Sequence, residues 1–264
     1  MILITGAEGY IGSHLCARLN KLKRIKFMST SISEHSRHAL RLKDIDTIIH
    51  LAAYIDAGES VKNPIKYYKN NVGYTMNLLQ WAPPDCKFIF ASSAAAKDAL
   101  TPYGESKRMC EKIIHDSRLP YVNLRFFNVA GGNENHKPET HVIPLALRGY
   151  LHVYGDGFNL RDYVHVEDVV DAILAAVDYE GERLQCDIGT GVGSSVWNIL
   201  DSIKRVKGKT TSVVFVEDRL EDPILIADPK RAREKLNWEA QYNLDQIIAS
   251  YPLGNSSSVR PSAT

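Results

Sequence analysis

The chain of 264 residues carries 32 basic and 31 acidic side chains, for a formal charge of +1, and 44% of its residues are hydrophobic. Charges this balanced set up no field that would gather nucleic acid or an anionic membrane, so an anionic ligand must be gripped locally. The apolar content can build one sizeable core, or one core with a small lobe. No run approaches the roughly 18 apolar residues of a spanning helix, and the start "MILITGAEGYIG" lacks the features of a signal peptide, which predicts a cytoplasmic protein. Cys16, Cys86, Cys110 and Cys186 show no C-x-x-C spacing and read as buried free thiols.

In chain order, "MILIT" predicts a buried strand that runs through Gly6-x-x-Gly9-x-x-Gly12 into a helix. In that context glycines permit a tight turn and let backbone approach a pyrophosphate at the helix N-terminus, so Gly6, Gly9 and Gly12, with Tyr10 and Ile11 between them, are assigned to a dinucleotide. A second strand, "IKFM", follows. The acidic residue that usually holds the adenosine ribose is missing at its end, where Ser29 and Ser31 stand instead. The next strand, "TIIHLAA", contains His50, which reads as a structural core histidine. Over residues 63–81 the apolar Ile65, Tyr68, Val72, Met76 and Leu79 recur at steps of three and four, predicting one buried stripe on a helix capped by Asn63 with Pro64 in its first turn.

"KFIFASS" predicts another buried strand, and "YGESKRMCEKII" an amphipathic helix. Further on come a strand "YVNLRFFN", a looser stretch "HVIPLALRGYLHVYGDG", a strand and helix "DYVHVEDVVDAILAAV", and strands "LQCDIG" and "SVVFVE". Strands alternating with helices predict an α/β fold: a Rossmann-like doubly wound parallel sheet with a small α+β lobe. The expected division is a dinucleotide-binding domain over 1–129 and a second lobe over 130–250, with 161–190 returning to the first sheet. The low-complexity tail over 251–264 reads as disordered.

Tyr103 and Lys107 stand four apart on one helix face, just after Ser93 at the end of a strand. A tyrosine titrates near 10, but a neighbouring ammonium and an oxidised nicotinamide both favour its phenolate, so it can act as a base near neutrality. Lys107 is then the tuning charge, and Ser93 hydrogen-bonds the same substrate hydroxyl. Alone, Tyr-x-x-x-Lys is as readily an ordinary surface pair; the glycine turn and Ser93 favour catalysis.

These residues, with "HLAA", "GESVKNPIKYYKNNV", "FIFASSAAA", "RFFNVAG", "RDYVHVEDVVDA" and "ADPKRAREKLNW", resemble the extended short-chain dehydrogenase/reductase family over residues 1 to about 250, within it most closely the UDP-glucose 4-epimerase branch. The resemblance implies an NAD-dependent isomerase. Tyr103 would take the proton of the sugar 4-hydroxyl while C4 passes hydride to the nicotinamide, and the 4-keto sugar would turn and take it back on its other face. It assigns the backbone of Leu51, Ala52 and Ala53, with Asn71, Ser92, Lys107 and Phe126, to the cofactor. It gives a UDP-hexose Asn128, His141, Val142, Tyr154, Arg161 and the Arg219/Asp222 pair. The guanidinium forks of Arg161 and Arg219 suit a diphosphate, with a solvated surface charge as the alternative for each.

Sugar-nucleotide 4,6-dehydratases of similar sequence carry an Asp-Glu pair after the serine; here Ala94 and Ala95 leave no carboxylate for an elimination. Leu225 aligns with the wall residue that faces the sugar C2 substituent, against simple core packing as the alternative. No metal is implied, and a homodimer through helices near 63–81 and 103–117 is expected. The chain departs from the family in a shortened region between the second strand and "TIIHLAA", so that one strand or helix of the sheet is lost or vestigial. The connector to Tyr103 and the loop before "RDY" are also trimmed, and Ile55 stands where some relatives point a basic residue at the pyrophosphate. With Ser29, this admits NADP beside NAD. It also leaves a nucleotide-sugar reductase using NAD(P)H as the alternative enzyme, and a non-catalytic dinucleotide sensor as the alternative of another class.

Overall fold

A computed structural model describes residues 1–22, 27–30, 44–132, 141–217 and 222–252, with backbone alone for 27–30. The first half contains β1 (Ile2–Thr5), α1 (Tyr10–Leu22), β2 (Phe27–Thr30), β3 (Thr47–His50), α2 (Ala57–Lys62), α3 (Pro64–Tyr67), a π-helical turn (Tyr68–Val72) and α4 (Gly73–Trp81). β4 (Lys87–Ser93), a 3₁₀ turn (Ala94–Ala96), α5 (Pro102–Asp116), β5 (Tyr121–Phe126) and β6 (Asn128–Ala130) follow. The second half contains α6 (Val142–Leu147), β7 (Tyr150–Tyr154), β8 (Leu160–His165), α7 (Val166–Asp178), β9 (Arg183–Ile188), β10 (Gly193–Ser194) and α8 (Val196–Lys207). It closes with β11 (Ser212–Val216), β12 (Ile224–Leu225), α9 (Lys230–Leu236) and α10 (Leu244–Ser250).

Six strands form one parallel sheet in the order β2-β1-β3-β4-β5-β9. Their sequences are continuous apolar runs because both faces are covered. On one face Leu15, Leu19, Val169, Val170 and Ile173 of α1 and α7 pack on Ile4, Ile49, Ile89 and Val122; on the other Leu78, Cys110 and Ile114 of α4 and α5 pack on Leu3, Ile48, Phe88 and Phe90. The chain winds outward from β1 to β2 and then, starting again at β3, in the opposite direction. The switch point between β1 and β3 opens a crevice at the carboxyl ends of the strands, where such sheets take ligands. A further strand beyond β2 is the usual arrangement; among the described residues the sheet ends at β2, and residues 31–43, which include Ser31, lie outside them.

The second lobe is built on β8, which pairs with β6, β10 and β12, and on the parallel pair β7 and β11. Ile143, Ala146, Leu151, Val153, Ile199, Ile203, Ile247 and Ile248 fill its core. Tyr251, which the sequence reading assigns to the tail, is buried in the same core; residues 253–264 lie outside the described residues.

The buried stripe expected over 63–81 holds in part: Val72 is buried, and Tyr68 and Leu79 pack against the same core. Ile65 and Met76 are exposed, and Tyr67, Asn71, Thr75 and Leu78 are buried instead. The π-helical turn over Tyr68–Val72 puts more residues in a turn than the 3.6 the stripe assumes, so its phase slips. Asn63 is at the N-cap, with Pro64 following, but its side chain makes no capping bond. The four cysteines are unpaired, Cys16 partly and the others fully buried.

Candidate active site

The glycine turn leaves β1 against β3. Gly6 has φ +74°, and a Cβ there would stand 2.7 Å from the Ala52 nitrogen. A Cβ on Gly12 would come 2.1 Å from the Gly6 carbonyl oxygen. Only glycine permits this approach, which sets the N-terminus of α1 at the mouth of the crevice. Thr5 holds the facing strand end: its backbone oxygen accepts from the Leu51 N–H at 3.1 Å, and its Oγ1 accepts from the Ala52 N–H at 3.4 Å.

His50 is a core residue. Its Nδ1 is 2.7 Å from Thr5 Oγ1 and its Nε2 is 3.1 Å from Thr75 Oγ1. Thr75 gives its own proton to the Asn71 carbonyl at 2.7 Å, so it accepts from Nε2–H, and Thr5 donates to Nδ1. The ring is neutral: burial, and then the Lys107 charge, push its pKa down to about 3.

Tyr103 and Lys107 are on the first turns of α5, which Thr101 caps by accepting from the Gly104 N–H at 3.2 Å, with Pro102 in the first turn. The connector from Ser93 is short enough that a Cβ on Gly104 would stand 2.4 Å from the Ala95 oxygen. Ser93 Oγ accepts from the Ala95 N–H at 3.2 Å and keeps its own proton for the Tyr103 phenol. Burial pushes the Tyr103 pKa up, and the Ser93 hydrogen bond works against it. Lys107 is buried; its Nζ donates to the Ala91 carbonyl at 2.7 Å and sits 4.7 Å from the centre of the Phe90 ring. Burial brings this ammonium down to about 8, against smaller opposing effects of Cys110 and Glu111.

A cavity of about 590 Å³ runs from the glycine turn into the second lobe. Of the residues picked out from sequence, Gly6, Gly9, Tyr10, Ile11, Gly12, Leu51, Ala53, Ser92, Ser93, Tyr103, Lys107, Phe126, Asn128, His141 and Val142 line it. Asn71 does not: it is buried behind the wall, its Nδ2 donating to the Tyr54 carbonyl at 3.0 Å and to Ser106 Oγ at 2.9 Å, its Oδ1 accepting from the Tyr54 N–H. Ser29 pairs with Ile4 on β2. Tyr154 ends β7, and Arg161 on β8 lies opposite Leu225 on β12, so these three stand in the second lobe outside the cavity lining. Leu225 packs on Ala94, Phe127 and Ala227. Asp222 Oδ1 accepts from the Ile224 N–H at 2.9 Å; Arg219 lies outside the described residues.

Sequence reasoning did not single out Phe127, Ile143, Pro144, Tyr163 and Tyr251, which also line the cavity. Phe127 and Ile143 adjoin residues that were picked, and adjacency was their only signal. It also passed over Asp162, which is fully buried and accepts four hydrogen bonds: from the Thr190 N–H and hydroxyl at 2.9 and 2.7 Å, the Gly191 N–H at 2.8 Å and the Ala227 N–H at 3.2 Å. This carboxylate ties β8 to the chain after β9 and to the segment after Leu225.

Comparison with known proteins agrees with this geometry. Residues 2–189 match the model of the NAD dependent epimerase/dehydratase family. A UDP-glucose 4-epimerase of Rhizobium meliloti is 35% identical, covering 94% of this chain and 95% of the relative, in an alignment of 311 positions that is longer than this chain. The UDP-glucose 4-epimerase of Brucella ovis, solved in complex with NAD, superimposes with a TM-score of 0.86 at 32% identity, covering 94% of this chain and 96% of the other. That of Bifidobacterium longum, solved with NAD+ and UDP, gives a TM-score of 0.83 at 25% identity over the same shares. With its glycine turn, its parallel sheet and a match over most of its length, this chain belongs to the NAD dependent epimerase/dehydratase family.

Proposed function

We propose that this protein is an NAD-dependent 4-epimerase of nucleotide sugars that interconverts UDP-glucose and UDP-galactose. The observation that carries the reading is that Ser93, Tyr103 and Lys107 line the same cavity as the glycine turn. The cradle fits a dinucleotide, since Gly6 and Gly12 are positions where any Cβ would collide with backbone. NAD, when bound, supplies a hydride acceptor that returns hydride to the same sugar carbon. Tyr103 removes and restores the proton of the sugar 4-hydroxyl, with Ser93 donating to the phenol oxygen and holding that hydroxyl. Lys107, brought to about 8 by burial, carries the positive charge that favours the phenolate and would also hold the nicotinamide ribose of a bound cofactor. Elimination of water is disfavoured, because the residues after Ser93 are Ala94 and Ala95 and Glu8, in the glycine turn, is the only carboxylate among the described lining residues.

Asn128, His141 and Val142 are read as contacts to the sugar nucleotide, and Tyr154, Arg161, Arg219 and Asp222 as its outer end. The division at 129/130, with 161–190 returning to the sheet, belongs to the same proposal; the pairing of β9 with β5 supports the return, whereas β8, at the start of that span, pairs within the second lobe. A homodimer is supported by the exposure of Val61, Ile65, Met76 and Met109 on α2, α3, α4 and α5.

Serine and threonine at the end of β2, with Ile55 in the cavity wall, favour a reductase as the second reading, since weak adenosine contacts suit a cofactor exchanged at each turnover. One experiment separates them. Purified protein is assayed on UDP-glucose with no dinucleotide added, and dinucleotide released on denaturation is identified. Interconversion with bound NAD supports the epimerase, whereas a need for stoichiometric NAD(P)H and a reduced sugar product rejects it. Tyr103→Phe should lower kcat by about two orders of magnitude or more with sugar-nucleotide affinity nearly intact.

A further inference from the structure

Tyr103, Lys107 and Glu111 follow one another at four-residue steps, stacked on one face of α5. Glu111 is buried, and three donors converge on its two oxygens. Ser92 Oγ donates to Oε1 at 2.6 Å, Arg125 Nε to Oε1 at 2.8 Å, and Arg125 Nη2 to Oε2 at 2.7 Å. Ser92 and Arg125 reach it together because they are register partners on β4 and β5. Ser92 is the neighbour of Ser93, and the strand carbonyl before it, that of Ala91, accepts the Lys107 hydrogen bond. Lys107 has no salt bridge among the described residues, only that carbonyl and the Phe90 ring.

We propose that Glu111, clamped by Arg125 and Ser92, is a positioning residue for the hydride-transfer site: it supplies the buried negative charge that sustains the Lys107 ammonium and fixes the strand end from which Ser93 projects. This deepens the reading above and rests on it. The other groups facing Lys107 cannot supply that charge. His50, from β3, is neutral, with its pKa pushed down to about 3. On α5, burial raises both the Cys110 thiol and the Tyr103 phenol and so works against a resident anion at either. Asn71 and Thr75 beside them, and Ser92 and Ser93 on β4, carry no charge. The ion pair near Lys107 is therefore Glu111, which favours its protonated form, with Arg125, which opposes it through the shared carboxylate.

The two partners must then move Lys107 in opposite directions, which a merely structural pair would not do. Lys107 is followed by the NMR resonance of its side-chain nitrogen in the protein as purified, assigned by its loss in Lys107→Met. Glu111→Gln should lower its midpoint by about one pH unit, and Arg125→Gln, which frees the carboxylate, should raise it. The alkaline limb of the kcat profile should follow each shift. Glu111→Asp, which keeps the charge, should leave the midpoint near that of the wild type and serves with Arg125→Gln if Glu111→Gln does not fold. Shifts of the same sign, or none, overturn the proposal. A wild type that fails to interconvert UDP-sugars would reject the functional reading, while the resonance still decides the role of Glu111.

Discussion

Replacing Asp162 by asparagine keeps the shape of the side chain and halves its capacity to accept. In the wild type one oxygen takes both Thr190 donors and the other takes the Gly191 and Ala227 N–H groups. The amide has one accepting oxygen and an NH2, so if the oxygen stays with Thr190, the NH2 is turned against two N–H groups. Ala227 is buried and Gly191 is exposed. The first is therefore left without a partner, at about 1–3 kcal/mol, whereas the second can turn to water at little cost. Exchanging charge-assisted bonds for neutral ones adds about 1 kcal/mol, for a total near 2–4 kcal/mol. At about 2–4 °C per kcal/mol for a domain of this size, Tm should fall by about 5–15 °C. Calorimetry and urea titration would read this directly. A variant melting within about 2 °C of the wild type would refute the reasoning, because either the four bonds do not form together or water replaces them freely.

Leu225→Ser should enlarge the wall behind Phe127 and narrow the preference for UDP-glucose over its N-acetylated analogue, set at about ten- to a hundredfold in the wild type; an unchanged kcat/KM ratio would reject Leu225 as the gate. His50 holds about 3 in the fold against 6.5 when unfolded, so between those values the unfolded chain binds the extra proton and stability falls as pH falls, by about 1.4 kcal/mol per unit. His50→Asn should lower stability at neutral pH and flatten that acid slope by one proton in urea titrations from pH 6.5 to 4.5, and an unaltered slope would show that His50 is charged in the fold. Ile65→Glu, on an exposed face 65% accessible, should turn the expected dimer into a monomer by light scattering, and a dimer of unchanged mass would place the interface elsewhere.

The features legible in the sequence are those whose physics is local. The glycine turn was readable because a backbone approach leaves no room for a Cβ, and the spacing of Gly6, Gly9 and Gly12 records that constraint without reference to any partner. Tyr103 and Lys107 were readable because four residues of helix place two side chains on one face. The strands around them were continuous apolar runs, the mark of a sheet covered on both faces, and "KFIFASS" coincides with β4 to the residue. His50 could be set aside as structural for a similar reason, lying on such a strand.

What tertiary structure decided depends on groups that meet from distant parts of the chain. Asp162 looks like the middle of a binding motif, and only the arrival of Thr190, Gly191 and Ala227 makes it a buried acceptor. The stripe on 63–81 lost Ile65 and Met76 to solvent because a π-helical turn rotates the helix by an amount that no 3.6-residue period contains. Tyr251 stands 120 residues from the Gly131 N–H that donates to its hydroxyl. Arg125 and Ser92 share Glu111 only because β4 and β5 pair in one register. Spacing along a chain encodes neighbours within a turn or a strand; a buried charge is defined by the donors that close around it, and those are chosen only when the sheet and the second lobe come together.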